Sequence, residues 1–275
     1  MSDKITLNQS YLGISVSAWK VILGFTLFRL FLALILPLTP QEAYYWSWSR
    51  DLALSYFDHP PLASYSIWFT TLIFGQTIFG IKLAAVLWYL GMNIIWATMI
   101  QEMFDNSRQS FWTLLALNAS IVFELYGFVI TPDTPLLFCW TATIYALWKL
   151  VQTEHPKWWY VAGLFMGLAW LGKYSGIMLV PSVLLFTIVS KNQRKWLLTP
   201  HPYLGVLLSI LVFSPVLIWN VQHDWISFAF QGSQRASGMG HWKVKHFWRA
   251  VGVTVFHFIP IFVCRRVCHL DSIWS

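Results

Sequence analysis

Long apolar runs recur along almost the whole of this 275-residue chain. An α-helix needs about 20 consecutive apolar residues to cross the hydrocarbon core of a bilayer. Hydrophobic residues make up 57% of the sequence and charged residues only 11%, whereas a soluble domain carries about 25% charged residues. So few charges cannot cover the surface of a soluble protein. The sequence therefore excludes a soluble enzyme, a disordered chain and a DNA-binding domain, and it indicates a polytopic membrane protein.

The runs predict an all-α, polytopic transmembrane helical bundle of about eight spans, with residues 1–275 forming a single domain. After a first span at 19–38, an aromatic stretch at 39–61 and a helix at 62–78 predict an outer loop that carries interfacial helices. The other spans are predicted near 80–101, 110–127, 134–150, 158–172, 175–190, 203–219 and 249–264.

The distribution of Lys and Arg predicts the orientation, because cytoplasmic loops are enriched in these residues. With the N-terminus in the cytoplasm, ten of the 18 Lys and Arg residues fall in inner loops and six on the outer side, while Arg29 and Lys82 lie inside spans. The net charge of +7 therefore belongs to the loops, and no nucleic-acid partner is expected. Four unusual polar clusters then share the outer face, which predicts a single site there: 41–61, 131–135, 173–174 and 220–248.

The first cluster begins with Gln41 and Glu42 beside three aromatic rings and ends with the segment Asp58-His59-Pro60-Pro61. One interpretation is an interfacial aromatic belt with a solvated acid. In the segment that follows, Asp58 is a candidate cap for a helix starting at Pro60. His59 is then either a solvated side chain or a residue at a helix N-terminus, where the backbone N–H groups attract a phosphate.

The second cluster is Thr131-Pro132-Asp133-Thr134-Pro135, at the outer start of the span 134–150. In the simplest interpretation Thr131 or Asp133 only caps that helix. However, Asp133 has apolar sequence on both sides, and an ionisable group at membrane depth indicates function. Glu124 is expected to be buried in the bundle.

The third cluster follows a GxxxG pattern formed by Gly163 and Gly167, which predicts close helix packing. Lys173 stands at the outer end of that span. Its side chain either extends along the helix to reach water or directs its ammonium group at a phosphate, and the residues alone do not favour one interpretation.

The fourth cluster is a loop from 219 to 243 with amides, both signs of charge and several aromatic rings. It is either a solvated loop or a surface for sugar and phosphate, since rings stack on sugars and Arg binds phosphate through two hydrogen bonds. The sequence contains no Walker loop, Rossmann glycine pattern, HExxH or GxSxG motif, which argues against soluble nucleotide donors, zinc proteases and serine hydrolases.

Four segments of this chain, in their order and spacing, resemble the dolichyl-phosphate-mannose–protein mannosyltransferase-like superfamily. These are the GT-C glycosyltransferases that include the bacterial aminoarabinose transferases. The resemblance runs from about residue 25 to residue 249 and rests on the segments EAYYWSWSRDLALSYFDHPPL, ITPDTPLLFCW, AGLFMGLAWLGKYSGIMLV and PVLIWNVQHDWISFAFQGSQR.

The resemblance implies an enzyme of the bacterial inner membrane with a cytoplasmic N-terminus. It implies transfer of a sugar from a polyprenyl-phosphate carrier to a lipid, glycan or protein acceptor on the outer, periplasmic face. The partners implied are this sugar donor, the acceptor and membrane lipids.

The resemblance also implies site residues. The family usually has Asp-Glu near the end of the first span, with the Asp as proposed base, where this chain has Gln41-Glu42. Because a neutral amide cannot accept a proton from a hydroxyl, the expected catalytic acids are Glu42 and Asp133. The expected phosphate- and substrate-binding residues are Asp58, His59, Lys173, Tyr174, Gln231 and Arg235.

Some family members bind a divalent metal through the acid matching Asp58 and a His in the later loop. Gln231 and His241 are poor matches for that His, so the resemblance allows a metal at Asp58 without implying one, and no cofactor is predicted.

Family members usually run well beyond the length of this chain, and the C-terminal part of the family fold is expected to be missing. Two further hypotheses follow. The chain could be a shortened relative that binds lipid phosphate or a partner without turnover. A transporter is weaker, because it predicts internal repeats and none is visible in the sequence.

Overall fold

The computed structural model describes residues 10–11, 13–104 and 106–234, and this part of the chain is almost entirely helical. A short antiparallel pairing of Ser10–Tyr11 with Ile14–Ser15 precedes the first helix. The α-helices are α1 Val16–Ile35, α2 Pro40–Ser49, α3 Leu62–Phe74, α4 Ile78–Phe104, α5 Ser107–Asn118, α6 Ile121–Phe128, α7 Asp133–Thr153, α8 Lys157–Gly172, α9 Leu179–Val189, α10 His201–Gln222 and α11 Ile226–Ala229. Short 3₁₀ turns occupy Tyr174–Met178 and Arg194–Leu198, and a π turn occupies Phe230–Gln234. The predicted span 249–264, Arg235 and His241 lie outside the described residues.

Four of the described helices are long and apolar enough to cross a membrane, namely α1, α4, α7 and α10. They confirm the predicted all-α membrane bundle. Helices α8 and α9 have 16 and 11 residues, fewer than the roughly 20 that a straight span needs. The prediction of about eight spans therefore stays a prediction beyond these four.

The predicted span 110–127 is wrong as a single helix, because α5 ends at Asn118 and α6 begins at Ile121. The Asn118 side chain donates to the Asn93 Oδ1 atom at 2.6 Å and accepts from the Arg29 guanidinium at 2.8 Å. Arg29 also binds the Glu124 carboxylate at 2.7 Å. A buried polar network thus joins α1, α4 and both short helices at the break, where polar groups need partners away from water.

Helices α8 and α10 approach each other through small residues. A side-chain carbon on Gly163 would run into the Gly205 backbone, and one on Gly167 would run into Ser209. The Ser209 hydroxyl donates to the Gly163 carbonyl at 2.8 Å. The close packing predicted from the GxxxG pattern is confirmed.

Helix α3 packs antiparallel against the N-terminal half of α4. Its Ser66 hydroxyl accepts from the Trp88 indole at 2.8 Å, while Thr71, further along α3, lies against Gly80, earlier in α4. The helix ends four residues before the predicted limit of 78, because Gly75 adopts a positive φ of 75° that glycine accommodates without strain.

The bundle has two ends, which we name by the residues that they carry. At one end, which we call the basic end, Lys195 pairs with Glu154 at 2.7 Å and Lys149 with Glu102 at 3.0 Å. The opposite end, which we call the site end, collects the connections after α1, α3, α6, α8 and α10. All four predicted polar clusters have described residues at the site end.

We expect Gly163→Ala to destabilise the protein, because the added methyl group must separate α8 from α10 and overpacking costs about 1–3 kcal/mol. The matched control is Gly24→Ala in α1, where a Cβ atom meets nothing within 4 Å and alanine favours the helix. The thermal unfolding midpoint in detergent should fall for Gly163→Ala and should stay at the wild-type value for Gly24→Ala. Equal midpoints for the two variants would contradict the close approach.

Candidate functional site

A partly exposed ion pair lies at the site end. The Lys173 Nζ atom lies 2.8 and 2.9 Å from the two carboxylate oxygens of Asp133, and both side chains are a little over one quarter exposed. Asp133 begins α7, and Lys173 follows the last residue of α8 in extended backbone. The two residues predicted to share a site are therefore in direct contact.

The helix caps predicted for this segment are wrong. Pro132 occupies the N-cap position of α7 and provides no side-chain hydrogen bond. The Thr134 hydroxyl instead accepts from the Thr131 backbone amide at 3.2 Å. The Asp133 carboxylate is therefore directed at Lys173 rather than at the backbone of its own helix.

Tyr174 connects this pair to the segment that follows α10. Its hydroxyl lies 2.5 Å from the hydroxyl of Ser227, a buried residue of α11. The chain reaches α11 through Asp224 and Trp225, which both adopt left-handed backbone with φ of 52° and 57°. Non-glycine residues rarely adopt this conformation, so the turn is held by its surroundings.

Gln231, in the π turn after α11, connects the same segment to the loop between α2 and α3. Its side-chain amide donates to the Asp58 backbone carbonyl, and the rings of Phe57 and Phe230 lie 4.7 Å apart. The predicted residues Asp58 and Gln231 are therefore neighbours, although 173 positions separate them in the sequence.

Asp58 does not cap α3, which corrects a second prediction. That helix begins at Leu62 with Pro61 at its N-cap, and the Asp58 carboxylate instead accepts from the Tyr44 hydroxyl at 3.2 Å. Burial, with a smaller contribution from Asp58, raises the pKa of Tyr44 to about 12. Tyr44 therefore stays protonated and remains a donor at neutral pH.

His59 is buried immediately before α3, with its ring 6.0 Å from the ring of Tyr45. Tyr45 belongs to α2 and packs in the same apolar cluster as Ile130, which lies three residues before Asp133. The loop carrying His59 and the start of α7 thus rest on a common core.

Glu42 has a different environment from the other acids, because its side chain is completely buried. Both carboxylate oxygens accept from the Lys82 ammonium, at 2.9 and 2.7 Å. The carboxylate also accepts from the Thr39 backbone amide at 2.8 Å, and the Thr39 hydroxyl accepts from the Glu42 amide at 3.3 Å, which forms a capping box at the start of α2. The neighbouring Gln41 is exposed.

Lys82 is the residue of this site end that sequence reasoning did not include. A lysine inside an apolar span was the available signal, because such a charge requires a partner. Lys82 and Glu42 are 40 positions apart, and no sequence pattern identifies them as partners.

The described residues at the site end do not assemble a set of metal ligands. Within the part of the chain that the structure describes, no group of three or more His, Cys, Asp or Glu residues is placed to hold an ion. The Asp58 carboxylate has the Tyr44 hydroxyl as its hydrogen-bond donor. The later loop that contains His241 lies outside the described residues.

Fold and site together define an integral membrane protein whose polar groups converge at one end of a helical bundle. The sequence profile of the dolichyl-phosphate-mannose-protein mannosyltransferase family matches residues 58–219, which is more than half of the chain. The protein belongs to this family.

Individual relatives agree with this assignment. Over 212 residues the chain is 28% identical to lipid A galacturonosyltransferase RgtD of Rhizobium johnstonii, covering 76% of this chain and 44% of the relative. Over 192 residues it is 21% identical to undecaprenyl phosphate-alpha-4-amino-4-deoxy-L-arabinose arabinosyl transferase 1 of Pseudomonas fluorescens, covering 67% of this chain and 35% of the relative.

The fold is similar to the crystal structure of ArnT from Cupriavidus metallidurans in the apo state, with a TM-score of 0.62 and 21% identity. The match covers 79% of this chain and 44% of that chain. The protein thus spans less than half the length of the relatives it matches.

We expect Glu42→Gln to destabilise the protein by about 3–5 kcal/mol, because it leaves the buried Lys82 charge without its partner. Glutamine can still complete the capping box, so the variant isolates the ion pair. The double variant Glu42→Gln/Lys82→Met should recover most of the lost stability. Thermal unfolding in detergent measures both effects.

The matched control is Glu102→Gln, which removes the partner of Lys149 in a more exposed pair. It should cost less than about 1 kcal/mol. A loss for Glu42→Gln no larger than that for Glu102→Gln would mean that the buried pair does not hold α2 in place.

Proposed function

We propose that this chain provides the donor site of a membrane glycosyltransferase. The enzyme takes a sugar from a polyprenyl-phosphate carrier and transfers it to a lipid, glycan or protein acceptor at the periplasmic face of the bacterial inner membrane. The observation that carries the proposal is the Asp133–Lys173 pair at the site end, which leaves a carboxylate and an ammonium partly exposed side by side. The activities named for the two relatives support the same chemistry.

In the proposed reaction an acceptor oxygen attacks the anomeric carbon of the sugar, and the bond from that carbon to the carrier phosphate breaks. The polyprenyl phosphate leaves with the bonding electrons, so negative charge builds up on its oxygens. Lys173 as a cation and His59 as a hydrogen-bond donor stabilise that charge, since donors aimed at developing charge lower the barrier. Arg235 is assigned the same role from the family resemblance.

The position of Asp133 favours it as the acid that orients the acceptor hydroxyl or removes its proton. A general base must come within hydrogen-bond distance of that proton, and Asp133 is partly exposed. Glu42 was the other candidate. Its carboxylate is buried and engaged by Lys82 and Thr39, which favours a role in holding α2 in place.

The remaining predicted residues shape the substrate site. Tyr174 holds α11 against the segment that follows α8, and Gln231 holds the π turn against the loop that carries Asp58. A sugar bound beside Asp133 would therefore have aromatic and amide groups close by, which suit stacking on sugar faces and hydrogen bonding to hydroxyls.

An apolar groove of about 420 Å³ begins beside this site and runs between α3, α4 and α7. Its walls include Leu62, Tyr65, Trp88 and Phe138, and Leu62 lies three residues after His59. A lipid whose phosphate lies near His59 could place the first part of its hydrocarbon chain there, because burying apolar surface is favourable at about 25 cal/mol per Å².

Binding of the carrier without turnover is the second candidate, and one observation favours it. Gln41 is exposed at the start of α2, where the family resemblance implies a catalytic carboxylate. Under this alternative, phosphate binding through Lys173 persists while the position expected to supply the base is a neutral amide.

We expect Asp133→Asn to reduce sugar transfer by roughly 10²–10⁴-fold, the usual contribution of a general base. The assay uses membranes containing the full chain, with radiolabelled sugar on polyprenyl phosphate as donor. Glu102→Gln serves as the control for the loss of a distant acid. Wild-type transfer by Asp133→Asn would remove that residue from the reaction.

We expect Lys173→Met to weaken carrier binding severalfold, because a charged hydrogen bond is lost.

The variant Gln41→Asp separates the two candidates. If the chain turns over, a carboxylate at this exposed position should raise the transfer rate, because it adds a base. If all variants bind the carrier and none transfers label, binding without turnover is the supported function. A rate below wild type in Gln41→Asp would contradict the role assigned to this position.

We expect the site end to face the periplasm. A cysteine at exposed Ser47 should react with a membrane-impermeant maleimide in spheroplasts, and one at exposed Thr153 should be protected until the membrane is permeabilised. The background carries Cys264→Ser and Cys268→Ser, while the buried Cys139 is kept. The reverse labelling pattern would overturn the orientation drawn from the Lys and Arg distribution.

A further inference from the structure

A second apolar groove lies far from the site, between α1 and α5 near the basic end. It has a volume of about 370 Å³ and is lined by Val21, Gly24, Phe25 and Phe28 of α1 and by Phe111 and Leu115 of α5, with Lys20 at its rim. No residue of the groove takes part in the proposed transfer reaction.

The two helices that form this groove run parallel. The Ser17 hydroxyl donates to the Ser107 carbonyl at 3.5 Å, which brings together the start of α1 and the start of α5. Further along both helices, the Arg29 guanidinium of α1 donates to the Asn118 side chain at the end of α5 at 2.8 Å. The groove therefore runs along both helices, away from the basic end.

Lys20 lies at the rim of the groove, and helix periodicity places a second cation, Arg108, on the face of α5 that lines it. On α1, Lys20, Gly24 and Phe28 are spaced by four residues and so share one face. On α5, Arg108 precedes Phe111 and Leu115 by three and seven residues, which also places the three on one face. Lys20 and Arg108 are both exposed, and the contact between Ser17 and Ser107 brings together the helix starts that carry them.

The dimensions fit one lipid chain in one leaflet. From Lys20 to Phe28 the helix rises ~12 Å at 1.5 Å per residue, and half of a hydrocarbon core is about 15 Å thick. Gly24 leaves the floor of the groove open, since a Cβ atom there would meet nothing within 4 Å. An acyl chain can therefore lie against the backbone at this position.

We propose that this groove binds an anionic phospholipid, with its phosphate between Lys20 and Arg108 and one acyl chain along Gly24 and Phe28. Charge complementarity selects the headgroup, because basic residues next to a membrane attract anionic lipids. The proposal rests on the membrane location of the bundle and is independent of sugar transfer.

The test offers the purified full chain equal amounts of phosphatidylglycerol and phosphatidylcholine with identical acyl chains. Lipid that remains bound is then counted by native mass spectrometry. We expect phosphatidylglycerol to be preferred by roughly fivefold for each cation that contacts it. The double variant Lys20→Gln/Arg108→Gln should bring the two lipids close to parity. The Gly24→Leu variant should retain neither lipid, because the introduced leucine side chain fills the groove.

Two control variants test specificity. Lys157→Gln removes an exposed cation at the same end of the bundle, on α8, and Leu23→Phe adds bulk at an exposed position of α1 outside the groove. Both should retain phosphatidylglycerol as wild type does. Equal retention of the two lipids by wild type, or unchanged retention in a Gly24→Leu protein with a normal unfolding midpoint, would overturn the proposal.

Discussion

The structure depends on one constraint, which is that a charge inside a helical bundle needs a partner of opposite charge. Removing one member of a buried pair leaves an ion that hydrocarbon and protein interior solvate poorly. Lys82 with Glu42 and Arg29 with Glu124 meet this requirement. In each case a basic residue within a long helix holds an acid from a short one. The pairs therefore connect α2 to α4 and α6 to α1, and they fix the positions of these two short helices in the bundle.

This positioning creates the site. Helix α2 supplies Tyr44, which reaches the Asp58 loop, and α6 leads through residues 129–132 to Asp133. The third pair, Asp133 with Lys173, follows the same rule with a different outcome, because both members remain partly exposed. Partly exposed charges cost less to separate than buried ones, which is why we propose Lys173, and not the fully buried Lys82, as the group that binds a phosphate.

Much of the fold could be predicted from the sequence, because apolar runs of sufficient length have few alternatives in a bilayer. The helices α1, α4, α7 and α10 and the close approach at Gly163 follow from such local patterns. The break after Asn118 could not be predicted, since it depends on contacts of Asn118 with Asn93 and Arg29, which come from distant parts of the chain. The sequence grouped Asp133 with Lys173, and Asp58 with Gln231, only through their shared side of the membrane. The contacts between them, and the partnership of Lys82 with Glu42, required the three-dimensional structure.

The geometry of α2 explains why a neutral amide at position 41 is compatible with the fold whereas position 42 has to be acidic. Consecutive residues of a helix point about 100° apart, so Gln41 is exposed while Glu42 is directed into the bundle toward Lys82. A neutral amide at position 41 leaves the cap and the buried pair of α2 intact. A neutral residue at position 42 would leave Lys82 uncompensated. Under the proposed function the two positions therefore have separable roles, chemical where the resemblance implies an exposed carboxylate and structural at the buried Glu42. An amide at position 41 alters the chemistry that this position can provide and leaves intact the fold that holds Asp133 and Lys173 together.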